Sequence, residues 1–262
     1  MTWIHAVNWL YSASGFAVGM LVGFTGVGGG SLMTPLLVLL FGFHPATAVG
    51  TDLLYAGLTK SGGTLVHGRN RTVDWRIVGR LACGSLPGTG VTLLALAWFG
   101  TGTTHMASTI SLALGIALIL TAVSLLARTW LLARLAGLSE RLTDRQTLAL
   151  TVMLGLFLGV MVSLTSVGAG AIGVTVLLVL YPRMPTVRIV GSDIAHAVPL
   201  TLVAGAGHWF VGAVDWPLLG SLLIGSLPGI AIGSHFAPRV PDRVLRPLLA
   251  VTLFIVGARL VF

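Results

Sequence analysis

Long apolar runs, separated by short polar or glycine-rich turns, dominate the hydrophobic pattern of this chain. The runs cover residues 4–23, 31–43, 46–67, 76–99, 105–127, 147–164, 171–182, 186–210, 216–236 and 243–262. Most of them approach the ~20 residues that a helix needs to cross a bilayer. The pattern therefore predicts an all-α polytopic membrane protein with about eight to ten transmembrane helices.

Two runs, the second and the seventh, are too short to cross. At ~1.5 Å per residue, helices of this length rise only ~18–20 Å, which is less than a hydrocarbon core of ~30 Å. Each follows a small-residue break, "GFTGVGGGSLM" from Gly23 and "SLTSVGAGAIG" from Ser163. The sequence predicts that two short helices begin inside the membrane, after breaks that we call the first and second glycine tips (Gly28–Gly30 and Gly168–Gly170).

The two halves of the chain repeat one another. "VGTDLLYA" matches "VGSDIAHA", which pairs Asp52 with Asp193, and "GSLPG" occurs at Gly84 and again at Gly225. So many matches in register indicate an internal duplication. The predicted boundaries are a first membrane repeat at 1–128, a cytoplasmic linker at 129–142 and a second membrane repeat at 143–262.

Each half contains five apolar segments, an odd number, so the second repeat is predicted to lie inverted relative to the first. The arginines support this prediction, because equivalent loops differ in charge: "HGRNRTVDWR" is basic, whereas its counterpart "GHWFVGAVDW" has no lysine or arginine. Short basic loops indicate the cytoplasmic side. Both termini are then predicted to lie outside.

Composition excludes a soluble domain, since 55% of the 262 residues are hydrophobic and only 8% are charged. The net charge of +8 does not indicate a nucleic-acid partner, because it lies in the predicted cytoplasmic loops, where anionic lipid is the expected contact. The chain has one cysteine, Cys83, and its histidines are scattered, so no metal or cofactor is expected. "GAGAIG" fits GxGxxG but lacks a βαβ context.

Inverted repeats with paired, glycine-broken short helices indicate a transport site. The N-terminus of each short helix presents free N–H groups and a positive dipole end, which suits an anion. Close helix packing is the alternative interpretation of the glycines. The flanking hydroxyls either bind the anion or bond back to a helix carbonyl. The predicted substrate-binding residues at the tips are Thr25, Gly28, Gly29, Gly30, Ser31, Thr165, Ser166, Gly168, Ala169 and Gly170.

Four further side chains are charged or titratable within apolar segments. Lys60, the only lysine, is a candidate countercharge for the anion or partner of Asp52; snorkelling to the interface is the alternative. Asp52 and Asp193 either pin the broken helices or relay protons. His196, one turn beyond Asp193, is a candidate for the same coupling or pinning role, by tuning Asp193 or by titrating itself. His67 and His208 are interpreted as helix-end or interfacial residues.

The glycine-rich "GFTGVGGGSLMTPLL", the following "VGTDL" and the twofold "GSLPG" resemble the sulfite exporter TauE/SafE family over essentially the whole chain. The resemblance implies a multi-pass protein of the bacterial cell (inner) membrane that transports sulfite, sulfoacetate or a related organosulfonate. The second tip departs from the glycine pattern with Ala169.

The leading hypothesis is therefore an exporter of a small sulfur-containing anion that works by alternating access, and not an enzyme. A proton-coupled importer of a sulfonate or thiosulfate is the alternative. An intramembrane enzyme and a scaffold are less favoured. The sequence does not exclude a channel. The sequence makes no prediction of oligomeric state.

Overall fold

The computed structural model describes residues 8–25, 30–139, 142–236 and 242–262, and these parts fold into α-helices without β-strands. The helices are α1 Trp9–Thr25, α2 Gly30–Leu39, α3 Pro45–Arg69, α4 Trp75–Phe99, α5 Thr104–Ser139, α6 Asp144–Thr165, α7 Ala171–Leu180, α8 Thr186–Phe210, α9 Trp216–Phe236 and α10 Asp242–Val261. Every predicted apolar segment corresponds to one of them, which confirms the all-α prediction.

Five of these helices, α4, α5, α6, α8 and α9, are long and apolar enough to cross a membrane. The 25 residues of α3 are less apolar because Asp52, Lys60 and several glycines and threonines lie within them. Helix α2 and helix α7 have ten residues each, so both short helices predicted after the glycine tips are present. Helix α5 continues to Ser139 and therefore includes most of the predicted linker.

Glycines let two pairs of helices pack backbone to backbone. A Cβ added at Gly15 of α1 would collide with the carbonyl group of Leu222 of α9, and one added at Gly155 of α6 would collide with that of Leu81 of α4. Gly19 and Gly159, one turn later, meet α9 and α4 one turn further on, so the helices of each pair run parallel. Such close approach requires a residue without a side chain.

Helices α3 and α8 cross at the centre of the molecule and run antiparallel. Gly50, near the start of α3, lies against His208 at the end of α8, whereas Gly63, near the end of α3, lies against Ile194 near the start of α8. Helix α8 is largely buried, and α3 is buried over its first half. These two helices place the buried charged residues.

Equivalent contacts recur in both halves with the spacing of the sequence repeat. The backbone N–H of Asp74 donates to Ser192 Oγ over 2.8 Å, and that of Asp215 donates to Thr51 Oγ1 over 3.0 Å. Asp215 is the repeat equivalent of Asp74, and Thr51 is the repeat equivalent of Ser192. The two hydrogen bonds therefore join equivalent positions, with donor and acceptor in opposite halves. The two halves therefore make equivalent contacts with each other, whereas the inversion of the second half relative to the first stays a prediction.

Candidate functional site

The second glycine tip is a buried chain reversal between α6 and α7. Ser166 ends α6 in the left-handed conformation, with φ of 59°, and its N–H donates to the carbonyl oxygen of Val162 over 2.7 Å. Gly168 has φ of 110°, a value that residues with a Cβ rarely adopt. Val167, between these two positions, and Ala169, directly after them, are both buried. The tip thus has a defined conformation inside the helical bundle.

Helix α7 begins without a cap. Gly170 precedes it, and no side chain there accepts a hydrogen bond from the first turn. Among the described residues, no acceptor is paired with the N–H groups of Gly168, Ala169, Gly170 or Ala171. The tip therefore offers a cluster of free donors at the positive end of a helix dipole, inside the protein.

The two hydroxyls at this tip behave differently. Thr165 Oγ1 donates to the carbonyl oxygen of Met161 over 2.7 Å and accepts from the N–H of Val167 over 3.1 Å, so it serves the local fold. Ser166 Oγ is buried and has no hydrogen-bond partner, although its side chain lies beside the Asp52 carboxyl group. Of the two, only Ser166 is available to a ligand.

The first glycine tip lies mainly outside the described residues. Gly28 and Gly29 are not described, and Thr25, Gly30 and Ser31 are described only as parts of α1 and α2. The substrate-binding role predicted for these five residues stays a prediction.

Asp52 connects α3 to the short helix α2. Its Oδ2 accepts a hydrogen bond from Thr34 Oγ1 over 2.5 Å, and both side chains are fully buried. Its Oδ1 has no hydrogen-bond partner. The carboxyl group thus contacts α2 by one oxygen, and the Ser166 side chain lies beside it.

Asp193 occupies the equivalent position between α8 and the other short helix, α7. Its Oδ1 lies so close to Gly173 that a Cβ at that glycine would collide with it. This oxygen is buried and lacks a hydrogen-bond partner. Each short helix is therefore contacted by one aspartate of the next helix, but only Asp52 makes a hydrogen bond there.

Lys60 lies within electrostatic reach of both carboxylates. Its ammonium group lies close enough to act electrostatically on Asp193, Asp52 and His196. No ion pair within 4 Å joins Lys60 to either aspartate in the described part of the chain. The antiparallel crossing of α3 and α8 brings Lys60 to Asp193, a proximity that the sequence did not predict.

Two further polar pairs surround these charges, and sequence reasoning missed three of their four residues. Ser85 Oγ and His196 Nε2 are hydrogen-bonded over 2.8 Å, and the equivalent residues of the other half, Ser226 and Tyr55, lie next to each other. Tyr55 also lies within reach of Asp52. Both serines belong to the repeated "GSLPG", so the repeat spacing contained the signal.

His208 fits the helix-end interpretation, but its side chain is not exposed at the protein surface. It lies in the last turn of α8, as predicted, but it is fully buried, and its Nε2 contacts the carbonyl oxygen of Ser163 over 2.9 Å. His208 is buried because its face of the last turn packs against α3 and α6, whereas its neighbours Trp209 and Phe210 are exposed. His208 thereby connects the end of α8 to the turn of α6 just before the second glycine tip.

Two short helices within a bundle of apolar spans, with charged groups buried around their N-termini, define a multi-pass membrane transporter. The comparison with known families agrees with this class: residues 11–260 match the family described as sulfite exporter TauE/SafE. The chain belongs to the TauE/SafE family.

Curated relatives cover nearly the full length. The chain is 40% identical to the Bacillus subtilis probable membrane transporter protein YjnA, over 94% of this chain and 97% of the relative. It is 29% identical to the probable membrane transporter protein YdhB of the same organism, with the same coverage. No solved structure shows a significant match.

Proposed function

We propose that this transporter exports a small sulfur-containing anion, such as sulfite, sulfoacetate or another organosulfonate. The observation that carries the proposal is the buried, uncapped N-terminus of α7, with its free donors at Gly168, Ala169, Gly170 and Ala171. An oxyanion replaces the lost hydration with several backbone N–H groups there, in the field of the helix dipole. The family to which the chain belongs supports sulfur oxyanions as the substrate class.

Ser166 and Lys60 complete the binding of the anion in this proposal. The unpaired hydroxyl of Ser166 donates to an anion oxygen, since it lies at the same tip as the free backbone donors. Lys60 supplies the opposite charge from α3. The first glycine tip contributes the equivalent donors from α2, and Thr25 and Ser31 flank it.

Alternating access follows from the division of the bundle into rigid and mobile parts. The pairs α1–α9 and α4–α6 are packed backbone to backbone through glycines, such as Gly15 and Gly155, and move as units. The short helices α2 and α7 contact them through few residues and carry the tips. Rocking of one unit against the other opens the site to either side of the membrane.

The membrane potential determines the direction. A monovalent anion gains roughly 2.3 kcal/mol per 100 mV when it leaves a cell that is negative inside. Export therefore requires no coupled ion. The predicted location in the inner membrane of a bacterial cell is consistent with this drive.

Proton-coupled import of a sulfonate or thiosulfate is the second candidate, and the carboxylates are the observation that favours it. Asp52 and Asp193 lie near the same Lys60, so two carboxyl groups share one ammonium group. A bound anion adds a further negative charge in a region of low dielectric, where like charges repel strongly. Protonation of one aspartate on binding removes that repulsion and couples the anion to a proton.

Currents from proteoliposomes test the proposal directly. Sulfite, thiosulfate, sulfoacetate, sulfate and chloride are applied in turn to the wild type and to Ser166→Gly, which removes the hydroxyl and suits the left-handed backbone. The control variant is Ser108→Ala, which removes a serine hydroxyl from an exposed face of α5. Alanine is used there because glycine would weaken the helix. We expect selective currents with one or two sulfur anions, and half-saturation concentrations about tenfold higher in Ser166→Gly alone.

Two outcomes contradict the proposal. Equal currents with chloride and with the sulfur anions exclude a selective sulfur-anion carrier. If Ser166→Gly has the same half-saturation concentration as the wild type, the Ser166 hydroxyl does not bind the anion and the second glycine tip is not part of the site. The same vesicles with an imposed proton gradient separate the two candidates, because only the proton-coupled importer accumulates thiosulfate or sulfoacetate against its concentration gradient.

A further inference from the structure

A polar cavity lies at the opposite end of α7 from the second glycine tip. Its volume is about 390 Å³, and it opens where α7 ends, between α4, the start of α6 and the start of α8. The side chains that can form hydrogen bonds in its wall are Arg80, Asp144, Thr147, Tyr181, Arg183 and Arg188. We propose that this cavity binds a phosphate ester on the face predicted to be cytoplasmic.

Three guanidinium groups from different parts of the fold converge on the cavity. Arg80 is held in place because its Nη1 donates to the Tyr181 hydroxyl over 3.1 Å, and Tyr181 in turn contacts Thr151 over 2.9 Å. Arg188 is steered by an ion pair with Asp74 at 3.3 Å, outside the cavity wall. Arginine suits phosphate because its planar fork donates two parallel hydrogen bonds.

Arg183 supplies the uncommitted charge. It lies in the exposed turn between α7 and α8, and among the described residues it makes no hydrogen bond or ion pair. Asp144, in the first turn of α6, is the one carboxylate in the wall. With three arginines and one aspartate, the wall of the cavity has a net positive charge. Asp74, the ion-pair partner of Arg188, is not part of this wall.

The uncapped start of α8 lies directly beside this wall. Pro185 lines the cavity and precedes the first residue of α8, and no side chain caps that helix end. The N–H groups of Thr186 and Val187 are therefore free at a positive helix end next to the arginines. A convergence of guanidinium groups and an uncapped helix N-terminus recognises a tetrahedral, multiply charged head group.

The rest of the wall indicates an ester rather than a free inorganic ion. Its remaining residues are apolar: Leu142, Leu180, Pro182, Met184 and Pro185. The volume falls within the range of about 300–1,000 Å³ that is usual for small organic ligands. A glycerol phosphate unit offers a phosphate to the guanidinium groups and a short carbon chain to the apolar residues. It is either a soluble metabolite or the head group of an anionic lipid, because basic pockets between helices bind such head groups.

This cavity is separate from the proposed transport site. Helix α7 spans ten residues, or ~15 Å, between the glycine tip and Tyr181. A ligand in the cavity contacts the C-terminal end of the helix whose N-terminus is proposed to hold the transported anion. The binding proposal does not depend on the identity, or even the existence, of a transported sulfur anion.

Calorimetric titration of delipidated, detergent-purified protein with glycerol 3-phosphate tests the proposal. Arg183→Gln and Arg80→Gln are compared with Arg76→Gln, which removes an exposed arginine one turn from Arg80 on the same helix but outside the cavity. We expect binding to the wild type and to Arg76→Gln, and a loss of about tenfold or more in affinity in each cavity variant. Equal affinity in all four proteins overturns the proposal, as does an absence of binding in both this titration and the lipid experiment below.

Native mass spectrometry distinguishes the two sources of the ester. Wild type and Arg183→Gln are purified with phosphatidylglycerol or with phosphatidylcholine. Retention of phosphatidylglycerol by the wild type, reduced in Arg183→Gln, identifies a lipid head group; binding of glycerol 3-phosphate without selective lipid retention identifies a soluble ester. Ser166→Gly is expected to bind glycerol 3-phosphate like the wild type, which separates failure of this proposal from failure of the transport proposal.

Discussion

Ser85 and His196 are hydrogen-bonded over 2.8 Å although 111 residues separate them, and both side chains are fully buried. The repeat equivalents of these two residues, 141 positions away, are Ser226 and Tyr55, and they also lie next to each other. The serine is the same in both halves, whereas its partner on the central helix is a histidine in one and a tyrosine in the other. The two halves of the site thus share a geometry but differ in their hydrogen-bond donors and acceptors and in the group that can take up a proton.

The Ser85–His196 contact is expected to stabilise the crossing of α4 and α8. His196→Ala leaves the buried Ser85 hydroxyl without this partner, so we expect a loss of roughly 1–3 kcal/mol in unfolding free energy. His196→Gln retains a polar group that can reach Ser85 and should lose less. Tryptophan-fluorescence melting in detergent measures the difference. Equal stability of the alanine variant and the wild type would contradict a structural role for this bond.

Asp52 is expected to have separable structural and transport roles. Asp52→Asn keeps an acceptor for the Thr34 hydroxyl, so its melting temperature should stay close to that of the wild type, while Asp52→Ala should melt several degrees lower, consistent with a loss of roughly 1–3 kcal/mol. A changed response of Asp52→Asn to a proton gradient would assign the carboxyl group to coupling. A stable Asp52→Asn with unchanged transport would restrict Asp52 to contacting α2.

Lys60 and Asp193 are expected to be energetically coupled. Lys60→Met leaves both carboxylates without the nearby positive charge, whereas Lys60→Met combined with Asp193→Asn removes one charge of each sign. The double variant should therefore be more stable than the sum of the single effects predicts. A double-mutant cycle by thermal unfolding gives the coupling. Strict additivity would show that Lys60 and Asp193 act independently.

The glycines of α4 allow a matched test of backbone packing. Gly84 lies against the backbone of Val152 on α6, whereas Gly79, on the same helix, has nothing within 4 Å. Gly84→Ala should destabilise the protein by about 1–3 kcal/mol through overpacking. Gly79→Ala should be neutral or stabilising by up to about 1 kcal/mol, since alanine favours helix. Similar effects at both positions would rule out close α4–α6 packing as the cause.

The predicted inversion is tested by labelling in intact cells. In a Cys83→Ser background, Gly102→Cys and Val211→Cys should react with a membrane-impermeant maleimide, because both turns are predicted to lie outside. Asn70→Cys and Arg183→Cys, in turns predicted to be cytoplasmic, should react only after permeabilisation. Labelling of Asn70→Cys and Gly102→Cys from the same side would refute the assigned path of α4 across the membrane.

The hydrophobic pattern alone predicted the helices, since each predicted apolar segment coincides with a helix to within a few residues at nearly every end. The main difference is α5, which continues to Ser139 because alanine, leucine and arginine in "RTWLLARLAGLS" favour helix. The two short helices were also predictable, because each is a short apolar run that follows a break rich in small residues; at Gly168 the break takes a φ of 110°, which glycine adopts readily.

The sequence by itself determined which residues are equivalent, and with them the pairing of Asp52 with Asp193. Only the tertiary structure decided which side chains meet. The association of Lys60 with Asp193, the contact of Ser85 with His196 and the burial of His208 all depend on the crossing of helices that lie far apart in the chain. A local pattern defines the face and length of a helix, but its partner and crossing depth follow from close packing at glycines such as Gly50 and Gly84.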